Sequence, residues 1–317
     1  MNKTSKILYA MKILDKGQIK ENDLIENSKI ERIILSRFNY PFIVDLIYSF
    51  QSNSKLFLVT EYISGGDMYL LLKKLKRLSK RMIKIYISEI ILCLGYLHEN
   101  KCIYRDLKPE NILIGLDGHI NIIDFNLSKL FFNTKSIIDN RAESICGTAD
   151  YMAPEIILQP EYDYLVDWYS LGVITYTFFT GHTPFDCKRN PKNIETKKKP
   201  INFNSSVFDG ASIDFITGLV SFDPKTRLGS NGIDEIKNHQ FLQDIDFKKI
   251  YEKDYIIDPE YLPNKEKLDK SLSLLNNTEK KININDDSNL PQNPETYKIK
   301  GNTYEGFTYV KDHEEYN

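Results

Sequence analysis

Eight consecutive residues, Tyr104-Arg105-Asp106-Leu107-Lys108-Pro109-Glu110-Asn111, hold five strongly polar side chains at spacings that could run a phosphoryl transfer. Such chemistry needs a carboxylate to orient a hydroxyl nucleophile and accept its proton. It also needs a cation beside the transferring phosphate and a neutral oxygen ligand for a metal. Asp106, Lys108 and Asn111 can fill those three roles. The stretch lies between an apolar, helix-like run (Ile83 to Leu97) and a short apolar strand (Asn111 to Ile114). A solvated loop would have no need of that spacing.

The surrounding pattern shows what must position these residues. Lys6 to Leu14 reads as a buried strand interrupted by one charge, Lys12. Lys29 to Phe38 has helical apolar spacing at Ile30, Ile33, Ile34 and Phe38. Phe42 to Phe50 and Lys55 to Tyr62 read as two strands around a Ser-Asn-Ser turn. Ser64-Gly65-Gly66-Asp67 breaks this pattern, and the chain turns helical from Met68. A small strand-rich part therefore ends near residue 62, with a linker at Glu61 to Gly66 and a larger helical part beyond. There Ile120 to Ile123 forms a short strand that delivers Asp124-Phe125-Asn126, and Leu127 to Ser144 reads as a long polar loop. Leu165 to Thr180 is a strongly apolar helix at the centre of the larger part. Asp186 to Asn204 is poorly patterned, and short helices are expected at Ala211 to Val220 and Ile233 to Phe241. From about residue 265 to Tyr304 the chain is Asn/Lys/Asp-rich and expected to be mobile unless it docks.

The totals narrow the classes. With 317 residues and 41% hydrophobic content the chain can build one large domain or two modest lobes. A net charge of -2 and no long Lys/Arg run argue against nucleic acid as a partner. The four cysteines lack C-x-x-C spacing, which argues against a disulfide framework or zinc site and for a cytosolic or nuclear compartment. No apolar run is long enough for membrane insertion.

The ordered motifs carry a resemblance. The loop is similar to the H-R-D-x-x-x-x-N catalytic loop of protein kinases, with Tyr104 in the His place. Tyr9-Ala10-Met11-Lys12, Asp124-Phe125 and the run from Cys146-Gly147-Thr148 to Ala153-Pro154-Glu155 follow the family's other signatures in order. Tyr40 to Gln51, Ser64-Gly65-Gly66 and the terminal Tyr304-Glu305-Gly306-Phe307-Thr308-Tyr309 resemble the AGC group, most nearly its ribosomal-protein kinase branch. The resemblance implies an α+β, bilobal fold. Residues 1–62 would form a partial N-lobe lacking its first two strands and 63–242 a helical C-lobe. Residues 243–317 would be an AGC-type tail with its hydrophobic motif at 304–309.

It further implies ATP and Mg²⁺ as cofactors, basic-context Ser/Thr proteins as substrates, an upstream activating kinase, and a monomer. Lys12, paired with Glu31, would grip the α/β-phosphates, and Asp124 with Asn111 would hold Mg²⁺. Glu61 and Ile63 would bond adenine at the hinge behind the gatekeeper Thr60. Asp67 is placed at the nucleotide side, and with Glu110 and Asp150 it matches acidic positions that select Arg/Lys in the substrate. Thr148 would tie Asp106 to Lys108 and favour Ser/Thr hydroxyls. Ser144 and Thr308 match phosphorylation sites, the former clamping Arg105. Asp167 would accept backbone N–H groups of the catalytic loop, and Glu155 would pair with Arg227.

Four departures stand out. No glycine-rich G-x-G-x-x-G hairpin precedes the Lys12 strand, so Met1 reads as a truncated or misplaced start. Asn126 replaces a glycine, where tolerance of positive φ would preserve an active shape. Thr177 stands where the group often has an acid facing the substrate. Leu268-Asp269 replaces a Phe-Asp pair, and Ser288 is the one weak turn-motif phosphosite. A kinase is the first reading. A catalytically impaired, pseudokinase-type binding module, or a truncated kinase fragment acting as one, is the alternative.

Overall fold

The computed structural model describes residues 7–131, 142, 146–158, 161–185, 194–204, 206–264 and 304–311. Ser144, Cys187, Leu268-Asp269 and Ser288 lie outside the described residues.

The first sheet has four antiparallel strands in the order β1-β3-β2-β8: β1 (Tyr9–Asp15), β3 (Lys55–Glu61), β2 (Leu46–Gln51) and β8 (Tyr309–Val310). Lys12 pairs with Leu58 in register, while Met11 and Ile13 face outward and are exposed. Among the described residues the outer edge of β1 has no strand partner. The strand expected over Phe42 to Phe50 begins only at Leu46. Ile43 instead makes an isolated parallel bridge to Ile122, stitching this sheet's approach to the larger part.

Between β1 and β2 come α1 (Lys16–Glu21), capped by the Asp15 carboxylate, and α2 (Ile25–Arg37). Helix α2 buries Ser28, Glu31, Ile34 and Leu35 toward the sheet. It is longer than its apolar spacing suggested, because its first turn carries only polar and half-buried residues.

The larger part is helical. Asp67 caps α3 (Met68–Leu75) and Ser79 caps α4 (Lys80–Glu99) by accepting backbone N–H bonds. Helix α6 (Leu165–Thr180) is apolar almost all round and buries 15 of its 16 residues, so it lies inside the lobe. Gly181 ends it at φ +79, where a Cβ would sit 2.2 Å from the Lys76 carbonyl, so only glycine closes this helix. Helices α5 (Glu155–Leu158), α7 (Ile194–Lys198), α8 (Gly210–Leu219), α9 (Ile233–Lys237) and α10 (Phe247–Tyr251) complete the lobe.

Two small sheets frame the loop of interest. β4 (Cys102–Ile103) pairs with β7 (Lys129–Leu130), and β5 (Ile112–Ile114) with β6 (Ile120–Ile122). Strand β7 corrects the reading of Leu127 to Ser144 as loop throughout. Two residues are too short for periodicity to show, and their pairing with β4 decides them.

Candidate active site

The polar loop leaves β4 and ends in the 3-10 turn Pro109–Asn111. Its backbone is forced. Arg105 adopts φ +68, a left-handed conformation that costs an L-residue roughly 1–2 kcal/mol. The fully buried Asp167 of α6 offsets this, accepting the N–H groups of Tyr104 (2.9 Å) and Arg105 (2.8 Å). His98, at the end of α4, bonds the same carboxylate at 2.8 Å. The sequence expectation for Asp167 is matched by this geometry, and His98 is an addition to it.

The loop side chains converge. Lys108 Nζ lies 2.7 Å from Asp106 Oδ2 and 3.2 Å from Thr148 Oγ1, and Thr148 is 3.4 Å from Asp106 Oδ1. Asn111 Nδ2 donates to the carbonyl and to Oδ2 of Asp106, both at 2.9 Å. The amide's donors are thus turned to Asp106, and its carbonyl oxygen is the end suited to a metal. Gly147, at φ +103, lets the Thr148 segment come close, since a Cβ there would sit 2.8 Å from the Arg105 carbonyl.

The loop also sets the position of Asp124. Tyr104, standing where the family has His, donates its hydroxyl to the Ile123 carbonyl at 2.5 Å, and the Ile123 N–H bonds the Asn111 carbonyl at 3.0 Å. Asp124 then takes φ +61, Phe125 is fully buried, and its ring meets Tyr104 edge-on at 5.3 Å. The conformation expected of Asn126 falls on Asp124 instead: Asn126 is not among the positive-φ residues. The residue at this bend is also the one that Lys12 holds by an ion pair.

Lys12 Nζ reaches Glu31 at 2.7 and 3.0 Å and Asp124 Oδ1 at 2.8 Å. Burial pulls the Lys12 ammonium down, but the two carboxylates more than offset it and its pKa rises. Lys12, Glu31, Thr60, Glu61, Ile63 and Asp124 all line one cleft of about 330 Å³, within the size range of small-molecule sites. A larger hollow of about 640 Å³, lined by Tyr40, Asp45, Glu61 and Lys253 among others, includes neither Lys12 nor Asp124, and no residue of the Tyr104 to Asn111 loop lines either cavity. The Glu61 carboxylate turns away from the hinge to accept the Asp45 N–H at 3.0 Å, and burial raises its pKa.

The remaining expected residues do not line this cleft. Asp67 is not among the cleft-lining residues, and its carboxylate is committed to capping α3. Glu110 is exposed and Asp150 half-buried. Thr177 is buried, and its hydroxyl donates to the Val173 carbonyl at 2.8 Å. The Arg105 guanidinium bonds the Leu127 carbonyl (2.7 Å) and the Tyr162 hydroxyl (2.9 Å). Glu155 and Arg227 form the expected pair, bidentate at 2.5 and 2.9 Å and almost wholly buried.

The terminal segment docks on the small lobe. Tyr304 and Phe307 are buried, and β8 lies along β2. Arg32 of α2 donates to the carbonyls of Phe307 and Thr308, both at 3.2 Å, while Ser49 donates to Phe307 O at 2.6 Å. Reasoning from the sequence missed Arg32, His98 and Tyr162. Each partner lies more than fifty residues away, and no local pattern marks such a pair.

The residues fit the group they would hold. One carboxylate (Asp124) and one amide oxygen (Asn111) are hard donors of the kind Mg²⁺ takes beside phosphates. Among the described residues no cluster of His, Cys, Asp or Glu suggests a dedicated protein cage for another metal.

A family profile described as Protein kinase domain matches residues 1–242. The chain is 42% identical over 264 residues to the serine/threonine-protein kinase YPK2/YKR2 of Saccharomyces cerevisiae, covering 82% of this chain and 38% of that one. It is 40% identical to the serine/threonine-protein kinase gad8 of Schizosaccharomyces pombe, covering 83% and 45%. It is 39% identical to ribosomal protein S6 kinase alpha-2 of Homo sapiens, covering 81% and 34%. The chain therefore spans less than half the length of these relatives.

Proposed function

The chain belongs to the protein kinase family, with relatives in its AGC group, and we propose that it transfers the γ-phosphate of ATP to Ser or Thr of basic protein segments. The observation that carries this is the Asp106 carboxylate, held between Lys108, Thr148 and Asn111 on a loop pinned by Asp167.

Asp106 orients the substrate hydroxyl and takes its proton. Lys108 steadies the charge of the transferring phosphate, and Thr148 fixes Lys108 against Asp106. Lys12, fixed by Glu31, faces the α/β-phosphates, while Glu61 and Ile63 border the adenine side. Asp124 and Asn111 would hold Mg²⁺, which would neutralise phosphate charge. Glu110 and Asp150 favour Arg or Lys upstream of the hydroxyl.

In this reading residues 1–62 form the small lobe, 63–242 the large lobe and 243–317 the tail. The chain works as a cytosolic or nuclear monomer and does not bind nucleic acid. An upstream kinase modifies Ser144, and Thr308 is the second phosphosite. The Arg32 contacts to the Phe307 and Thr308 carbonyls support a tail that presses on the Glu31 helix.

The test is a set of peptides bearing one hydroxyl. Transfer to Ser or Thr should exceed transfer to Tyr, and removing upstream Arg should lower it. Equal use of Tyr overturns the Ser/Thr assignment, and indifference to Arg overturns the basic-context assignment.

A further inference from the structure

Asn27 and Asn126 have no role in the chemistry assigned above, yet they join the two elements on which it depends. Asn27 sits one helical turn before Glu31 on α2, so both side chains lie on one face. Glu31 reaches Asp124 through Lys12. Asn27 Nδ2 donates to the backbone carbonyl of Asn126 at 2.7 Å. Helix α2 thus grips the three-residue turn Asp124-Phe125-Asn126 at both ends, by charge at one and by a neutral hydrogen bond at the other. Phe125 between them is fully buried.

The turn needs a hold. Asp124 is in the left-handed region. The side-chain Oδ1 of Asn126 is buried and finds no donor among the described residues. A buried acceptor without a partner is unfavourable by an amount comparable to a hydrogen bond or more. A shift of Asn126 that exposed this oxygen to water would relieve it, and in so short a turn such a shift would disturb Asp124 two residues away.

We propose that Asn27 is a positioning residue: its amide donates to the Asn126 carbonyl and keeps the Asp124 carboxylate on the phosphate side of the cleft, against the pull of the unpaired Asn126 Oδ1. The proposal rests on the nucleotide-site reading given above.

The test compares the full chain with Asn27→Ala, Asn126→Ala and the double variant. ATP affinity is measured by calorimetry with and without Mg²⁺, and amide hydrogen exchange is followed at Ser128, whose N–H bonds the Phe125 carbonyl at 3.0 Å. Loss of one hydrogen bond predicts that Asn27→Ala cuts the Mg²⁺-dependent gain in ATP affinity by about three- to tenfold and leaves metal-free affinity unchanged. Exchange at Ser128 should quicken, while the Asp167-bonded amides of Tyr104 and Arg105 keep their rates. Asn126→Ala keeps the carbonyl that Asn27 bonds and removes the orphan oxygen, so it should restore part of the loss in the double variant. An Asn27→Ala chain with unchanged Mg²⁺ dependence and unchanged Ser128 exchange overturns the proposal, as does an equal loss with and without metal. Failure of the unaltered chain to bind Mg²⁺-ATP would instead overturn the functional reading, and Ser128 exchange alone would then decide the role of Asn27.

Discussion

On the large-lobe side of the cleft, Asp106 stands on a loop whose backbone is pinned by the fully buried carboxylate of Asp167. On the small-lobe side, Lys12 stands on a strand that is at the sheet edge among the described residues, and is held through the carboxylates of Glu31 and Asp124. The first arrangement fixes main chain with buried groups. The second fixes one long, partly exposed side chain (37%) with two others. Preorganisation of the first kind is part of the fold. The second kind depends on where α2 sits, and α2 is in turn touched by the docked tail through Arg32.

This difference can be broken or sharpened by substitution. The largest effect is expected at the base. Asp106→Asn should lower phosphate transfer by about 10²–10⁴-fold, with Mg²⁺-ATP binding retained in calorimetry. A matched pair comes next. Glu155→Gln breaks the buried pair with Arg227 and should cost about 3–5 kcal/mol in denaturant unfolding. Glu31→Gln breaks a pair whose lysine is partly solvated and should cost about 1–2 kcal/mol. Equal costs would erase the distinction between the halves.

Phe307→Ala should release the tail, read as faster proteolysis at residues 304–311, with the Tyr104 and Arg105 amides still protected from exchange. The pH response should be slight. The raised pKa of Lys12 keeps its contribution whole below 10.5 and loses it only as pH climbs through the higher folded value. Mg²⁺-ATP affinity should therefore not fall through loss of the Lys12 charge between about pH 7 and about pH 9. The smallest change is expected from Lys311→Ala, which removes a half-buried pair with Asp45 and should cost about 1 kcal/mol.

The same contrast governs what the sequence made legible. The Tyr104 to Asn111 loop could be read because its chemistry is contiguous, and the helix from Leu165 to Thr180 because its apolar run is unbroken. Lys12, Glu31 and Asp124 could be brought together only through resemblance, since 112 residues separate Lys12 from Asp124. Residue type marks Asn126 as tolerant of positive φ, whereas the positive φ of this turn falls on Asp124, which residue type does not mark. The bond of the Thr177 hydroxyl to the Val173 carbonyl is likewise invisible in the residue's position along the helix. Strand β7 and the contacts of Asn27, His98 and Tyr162 are tertiary in origin, and no local pattern encodes them.

The most direct measurement is the initial rate of phosphate transfer from Mg²⁺-ATP to an Arg-containing Ser peptide, for the purified chain beside Asp106→Asn. The account predicts transfer by the unaltered chain and a drop of at least about a hundredfold in the variant. Equal rates in the two, or no transfer by either while Mg²⁺-ATP binds, would contradict it.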